Sequence, residues 1–145
     1  MKAHWFNEKN VQIVKSVSTW EQAIKKASQP LLDSGFITDE YVKNMINSVE
    51  KNGPYMVLTD YFALMHARPG IGVNEVSMSL LVTKKPVDVK GKPVKIFLVM
   101  AAVDNTSHLK ILKQIISIFM EKESYRLILD GDKKGILSLF EKLED

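Results

Sequence analysis

Hydrophobic and polar positions along this chain switch between two periods, and each switch marks an element. Val11–Val17 alternates roughly between apolar and polar and predicts a first strand. Apolar residues then fall at helical spacing, at Trp20, Ala23, Ile24, Ala27 and Leu31. Ser18 and Glu21 have capping-box spacing at the start of this helix, and Gly35 is placed to end it. Pro30 predicts a kink or restart, because it lacks the N–H that a helix interior uses. Trp20 lies on the apolar stripe, which makes it core packing rather than a platform for a ligand. A second helix, capped by Thr38, turns Tyr41, Val42, Met45, Ile46 and Val49 to one face and stops at Asn52-Gly53-Pro54.

The run from Tyr55 to Met65 is short and rich in Val, Leu, Tyr and Phe, so it predicts buried strand, in two pieces around Thr59-Asp60. Glu75–Thr83 predicts another strand, and Lys84–Lys92, with Gly91 among charges, an exposed hairpin-like connection. Pro93 precedes Val94–Val103, the most hydrophobic strand and the predicted centre of the sheet. Asp104–Ser107 reads as a strand-to-helix turn. The helix it opens runs to about Glu121, with Leu109, Leu112, Ile115, Ile116 and Phe119 inward. A last helix starts at Gly131 or Asp132 and runs through Leu143, with Ile136, Leu137 and Phe140 inward. Strands interleaved with helices predict an α/β sandwich with a mixed sheet. Without repeats or linkers, residues 1–145 read as one domain.

Composition removes several function classes. Only two of the 20 basic residues are arginine, Arg68 and Arg126, and no basic stripe with interleaved aromatics appears, so nucleic acid is not an expected partner. There is no cysteine, which excludes disulfides, thiol catalysis and Cys-based metal sites. The first nine residues carry no signal-peptide pattern, and the longest apolar run, Ile96–Val103, is too short to cross a bilayer. The expected location is cytoplasmic.

Three histidines are the side chains that titrate near neutrality: His4, His66 and His108. His66 ends the apolar run and is followed by Arg68, Pro69, Gly70 and Gly72. An imidazole at the point where a strand opens into a loop suits a nucleophile, and the nearby guanidinium suits an anion such as a phosphoryl group. The same residues also fit a structural loop histidine. His108 opens a helix after a central strand, where the positive helix end disfavours its protonated form. On spacing alone, His66 and His108 read equally well as a pair or as two surface histidines. No His-Glu-x-x-His, Gly-x-Ser-x-Gly, P-loop or dinucleotide fingerprint is present, so neither a metal nor a cofactor is expected.

Phe62-Ala-Leu-Met-His66-Ala-Arg-Pro resembles the phosphohistidine signature of the enzyme IIA domains of sugar phosphotransferase systems, mannitol/fructose superfamily. Asn52-Gly-Pro-Tyr-Met-Val, Gly72-Val73, Leu81-Val-Thr with Lys85-Pro86, and Met100-Ala-Ala-Val-Asp with Ser107-His108 resemble its ascorbate-specific branch, as do Thr19-Trp-Glu-Gln-Ala and Leu31-Leu-Asp-Ser-Gly. The resemblance implies a three-layer α/β/α sandwich with a mixed β-sheet and a phosphotransferase working through phosphohistidine. It implies His66 as phosphoacceptor, with His108 and Arg68 stabilising the phosphoryl group. Phospho-HPr would be the donor, a cysteine of a IIB protein the acceptor and a membrane IIC component the transporter, for ascorbate or a related sugar or pentitol. Departures are Met65 where the signature has Pro, Thr59-Asp60-Tyr61 in place of a small Gly-containing turn, and Glu50 where mannitol-type members carry an arginine. The alternatives are a regulatory IIA-like module that controls a partner through its phosphorylation state, and a non-phosphorylated binding protein. Helix faces such as Ile115–Met120 are apolar enough for a homodimer.

Overall fold

The computed structural model describes residues 3–144, so Met1 and Lys2 of the N-terminal segment read above, and Asp145, lie outside it. Its strands are β1 (Val11–Val14), β2 (Val57–Thr59), β3 (Tyr61–Met65), β4 (Ser77–Val89) and β5 (Lys92–Ala101), in the sheet order β1-β4-β5-β3-β2. β1 with β4 and β3 with β5 are parallel; the other two pairings are antiparallel. The hydrophobic strand is indeed the central one. Along β5 consecutive side chains must point to opposite faces, and they feed two separate cores. Phe97, Val99 and Ala101 join the core under α1 (Trp20–Asp33) and α2 (Asp39–Asn52). Ile96, Leu98 and Met100 join the core under α3 (Asn105–Phe119), α4 (Lys122–Leu129) and α5 (Lys133–Phe140). That gives the mixed-sheet α/β/α sandwich. No helix of the described residues is long and apolar enough to cross a membrane.

Several boundaries differ from the sequence reading. The first strand stops at Val14. Thr19, not Ser18, caps α1, its hydroxyl accepting the Gln22 N–H at 3.2 Å. Pro30 neither breaks nor restarts α1, which runs on to Asp33. Proline cannot donate to the carbonyl four residues back, and there the Gln12 side-chain amide donates to Lys26 O at 2.8 Å instead. The stretch 84–92 is mostly strand: Val87 and Val89 are buried, and only Lys90-Gly91, both at positive φ, make the turn. In α3, Ile111 and Ile115 are buried and Leu112 and Phe119 pack partly buried against the same core, whereas Leu109 and Ile116 are exposed. The proposed dimer face therefore loses Ile115 to the core and keeps Ile116 and Met120 outside. α4 was not anticipated. It packs Ser124 and Ile128 inward and lets the Tyr125 hydroxyl donate to Asp60 O in the β2–β3 turn.

Candidate phosphoryl-transfer site

The parallel pairing of β3 and β5, with Met65 opposite Val99, brings the ends of both strands to one edge of the sheet. Loops at such an edge are where α/β folds build sites. His66 follows the last residue of β3 directly. β5 ends two residues further along its register, and Asp104 caps α3: its carboxylate accepts the Ser107 N–H at 2.8 Å while Ser107 Oγ approaches the Asp104 N–H. The Ser107 N–H first, and its hydroxyl second, hold the Asp104 carboxyl below its ordinary pKa. The cap fixes His108 in the first turn, where its N–H donates to Asp104 O at 3.0 Å.

The two imidazoles meet there, with ring centroids 6.0 Å apart at 60°. On another side of His66 stands Tyr55, at 6.5 Å and 78°, its hydroxyl 2.7 Å from Ser48 Oγ. His66 Nδ1 lies 2.8 Å from Leu64 O. A carbonyl oxygen can only accept, so Nδ1 carries a proton, and in the neutral ring the lone pair is on Nε2. His66 itself is half-buried. Partial burial, and secondarily the charge of His66, push the His108 pKa below its ordinary value, so His108 is neutral at neutral pH.

The loop after His66 is held at three points. The Ala67 N–H donates to the Tyr41 hydroxyl at 3.1 Å, the Gly70 N–H to Ala102 O at 2.9 Å, and the Thr38 N–H to Gly72 O at 2.9 Å. Gly72 sits at φ +75° with a Cβ position 2.8 Å from Tyr41 N, so a side chain there meets backbone. Arg68 is on this loop, exposed, and forms no hydrogen bond or ion pair with a described residue. The fold thus pairs His66 with His108 and leaves Arg68 uncommitted. His4 is elsewhere, its Nε2 3.3 Å from Glu75 Oε2. Tyr41 and Tyr55 border the candidate site, and sequence reasoning did not single them out for it. For Tyr41 the available signal was a tyrosine in an aliphatic stripe, whose buried hydroxyl needs partners.

The comparisons decide the family. The sequence pattern described as "Phosphoenolpyruvate-dependent sugar phosphotransferase system, EIIA 2" matches residues 4–143. The chain belongs to this family. As an EIIA component it is a phosphotransferase that carries phosphate on a histidine. It is 30% identical over 139 residues to an ascorbate-specific PTS system EIIA component of Escherichia coli K12, covering 92% of this chain and 90% of that protein. The solution structure of a mannitol-specific cryptic phosphotransferase enzyme IIA from Escherichia coli superposes with a TM-score of 0.88 at 27% identity, over 96% of this chain and 97% of that one. The mannitol IIA of Escherichia coli in its complex with phosphorylated IIB shares the fold, with a TM-score of 0.77 at 18% identity over 93% and 96% of the two chains.

Two departures of this EIIA chain from the signature have a visible structural setting. Met65 is fully buried in β3 and paired with Val99, so regular strand continues up to the histidine. Glu50 lies near the C-terminal end of α2 and pairs with Lys90 at 3.3 Å in the β4–β5 turn. β5 has ten residues, which places that turn roughly 30 Å along the sheet from the histidine edge. No guanidinium reaches the histidines from the Glu50 position.

Proposed function

We propose that this chain is the carrier in a sugar phosphotransferase relay, accepting the phosphoryl group of phospho-HPr on His66 Nε2 and passing it to a cysteine of a IIB partner. The observation that carries this reading is the Leu64 carbonyl at Nδ1, which leaves Nε2 as the free lone pair. In the first step the donor's P–N bond breaks, its nitrogen leaves with the electron pair, and phosphorus bonds to Nε2. Positive charge develops on the His66 ring, and the Nδ1–H bond to Leu64 O strengthens as it does. Neutral His108 presents a ring N–H to the phosphoryl oxygens, and Arg68, uncommitted in the free protein, supplies a mobile positive charge. Phosphoryl transfer demands positioning and charge stabilisation above all, and this site supplies both. In the second step the thiolate attacks phosphorus and His66 leaves as neutral imidazole.

An open rim suits a macromolecular donor and acceptor. Tyr55, Ile71, Val103 and Leu109 are exposed large hydrophobics that flank His66, its loop and His108. Residues 1–145 act as one cytoplasmic domain in this reading, serving a membrane IIC component for ascorbate or a related sugar or pentitol. The test is incubation with phosphoenolpyruvate, enzyme I and HPr, followed by intact mass and mapping of acid-labile phosphate. Label on His66 supports the carrier; no label beside a competent control IIA refutes it.

A further inference from the structure

The Tyr41 hydroxyl is a buried polar group, close to His66, that the relay just described does not use. On α2 it sits among Val42, Met45 and Val49, neighbours that ask only for hydrocarbon. Its hydroxyl nevertheless has two backbone partners on different elements. It donates to Met100 O near the end of β5 at 2.5 Å and accepts from the Ala67 N–H, next to His66, at 3.1 Å. Burial pushes its pKa up to about 12, partly offset by the Ala67 N–H, so the phenol stays protonated and keeps both roles across the working pH range. Phenylalanine would fill the same space and take this hydroxyl away from a buried carbonyl and from a part-buried N–H.

We infer that Tyr41 is a positioning residue for phosphoryl transfer, a clamp that ties the backbone after His66 to the end of the strand leading to His108. This rests on His66 being the phosphoacceptor. Two features support a clamp over simple filling. The chain on the His66 side has just left the sheet, so its N–H groups need partners outside the ladder. The loop also returns to the same helix turn, where Gly72 approaches Tyr41 N and its carbonyl takes the Thr38 N–H. One turn of α2 therefore sets the path of residues 67–72, while β5 sets where α3 begins. The hydroxyl is the link between them.

The test is Tyr41→Phe in the full chain, with phospho-HPr as the probe in single-turnover labelling and the 15N signals of the His66 ring read alongside. The expected result is label still on His66, unchanged affinity for phospho-HPr, and a transfer rate lower by roughly tenfold to a hundredfold, the range that small misplacements of reacting groups produce. The ring signals should move from the Nδ1–H form toward the mixed tautomers of a free imidazole. A merely structural tyrosine would lower Tm and leave those signals in place, which overturns the inference, as does a wild-type transfer rate. Failure to label His66 in the wild type would instead strike the phosphoacceptor reading, while the ring signals still decide the clamp. Should the variant not fold, amide exchange of Ala67 in the wild type replaces it: protection supports the clamp, and exchange as fast as an open loop overturns it.

Discussion

Gly72→Ala tests the most tightly specified contact of the site. Gly72 lies at φ +75°, and a Cβ there would stand 2.8 Å from Tyr41 N and 3.1 Å from Thr38 Oγ1. Two costs add. The left-handed conformation costs an alanine about 1 kcal/mol. The clash is with helix backbone, which cannot rotate aside, and overpacking of that kind costs about 1–3 kcal/mol. Gly35→Ala is the internal control, because Gly35 has the same φ of +75° and nothing within 4 Å of its Cβ position. It should lose about 1 kcal/mol and no more. For a chain of this size each kcal/mol is worth roughly 2–4 °C in Tm. Thermal melts should therefore place Gly35→Ala a few degrees below the wild type and Gly72→Ala roughly 5–15 °C below. Phosphoryl acceptance by the folded Gly72→Ala protein should also fall, since the displaced carbonyl is the partner of Thr38 at the start of α2. Equal Tm losses in the two variants would refute the close-approach argument.

NMR of the phosphorylated protein should show phosphorus on His66 Nε2; a phosphate on Nδ1 would contradict the Leu64 hydrogen bond. His108→Ala should accept phosphate yet pass it to IIB poorly, as read by label retained in the presence of IIB; transfer at the wild-type rate would remove His108 from the site. His108 also predicts a pH dependence of stability. Its folded pKa is lowered, chiefly by burial, so its contribution is full above about pH 6.5 and is lost as pH falls through the folded value. Urea melts should show wild type losing stability relative to His108→Gln between pH 7.5 and 5, and a constant difference would count against the burial.

How much of this was legible in the sequence depends on what each segment had to satisfy. β3 and β5 were readable because strands buried on both faces demand apolar residues without interruption, as in Phe62–Met65 and Ile96–Ala101. The far half of β4 was not, since Lys84–Val89 has one face in water and its charges hid the alternation of Val87 and Val89. α4 escaped because eight residues with a buried serine make a weak periodic signal, although Ser124 and Ile128, like Tyr125 and Leu129, are spaced by four. Leu109 and Ile116 sit at helical spacing but point outward, which periodicity alone cannot tell from a core stripe. At the site, spacing left the two histidines unpaired, because their meeting depends on strand order. β3 and β5 are neighbours in the sheet although β4 separates them in sequence.

That strand order also explains why the carrier is built this way. A relay intermediate must hold its phosphoryl group in one orientation and yet surrender it to another protein. In the proposed relay, orientation comes from backbone: the Leu64 carbonyl holds Nδ1–H, and His66 follows directly on the strand that ends at Met65. Release comes from exposure, since Tyr55, Ile71, Val103 and Leu109 around the histidines are open to solvent and His66 itself is only half-buried. A permanent cation locked against the phosphoryl group would hold it too well, and Arg68 has no hydrogen bond or ion pair with a described residue, while Glu50 pairs with Lys90. The final acceptor cannot lie in this chain if it is a thiol, because the sequence has no cysteine. Charge stabilisation must then strengthen when a partner covers the rim and excludes water. In the proposed relay, control of transfer then lies in docking rather than in the free protein.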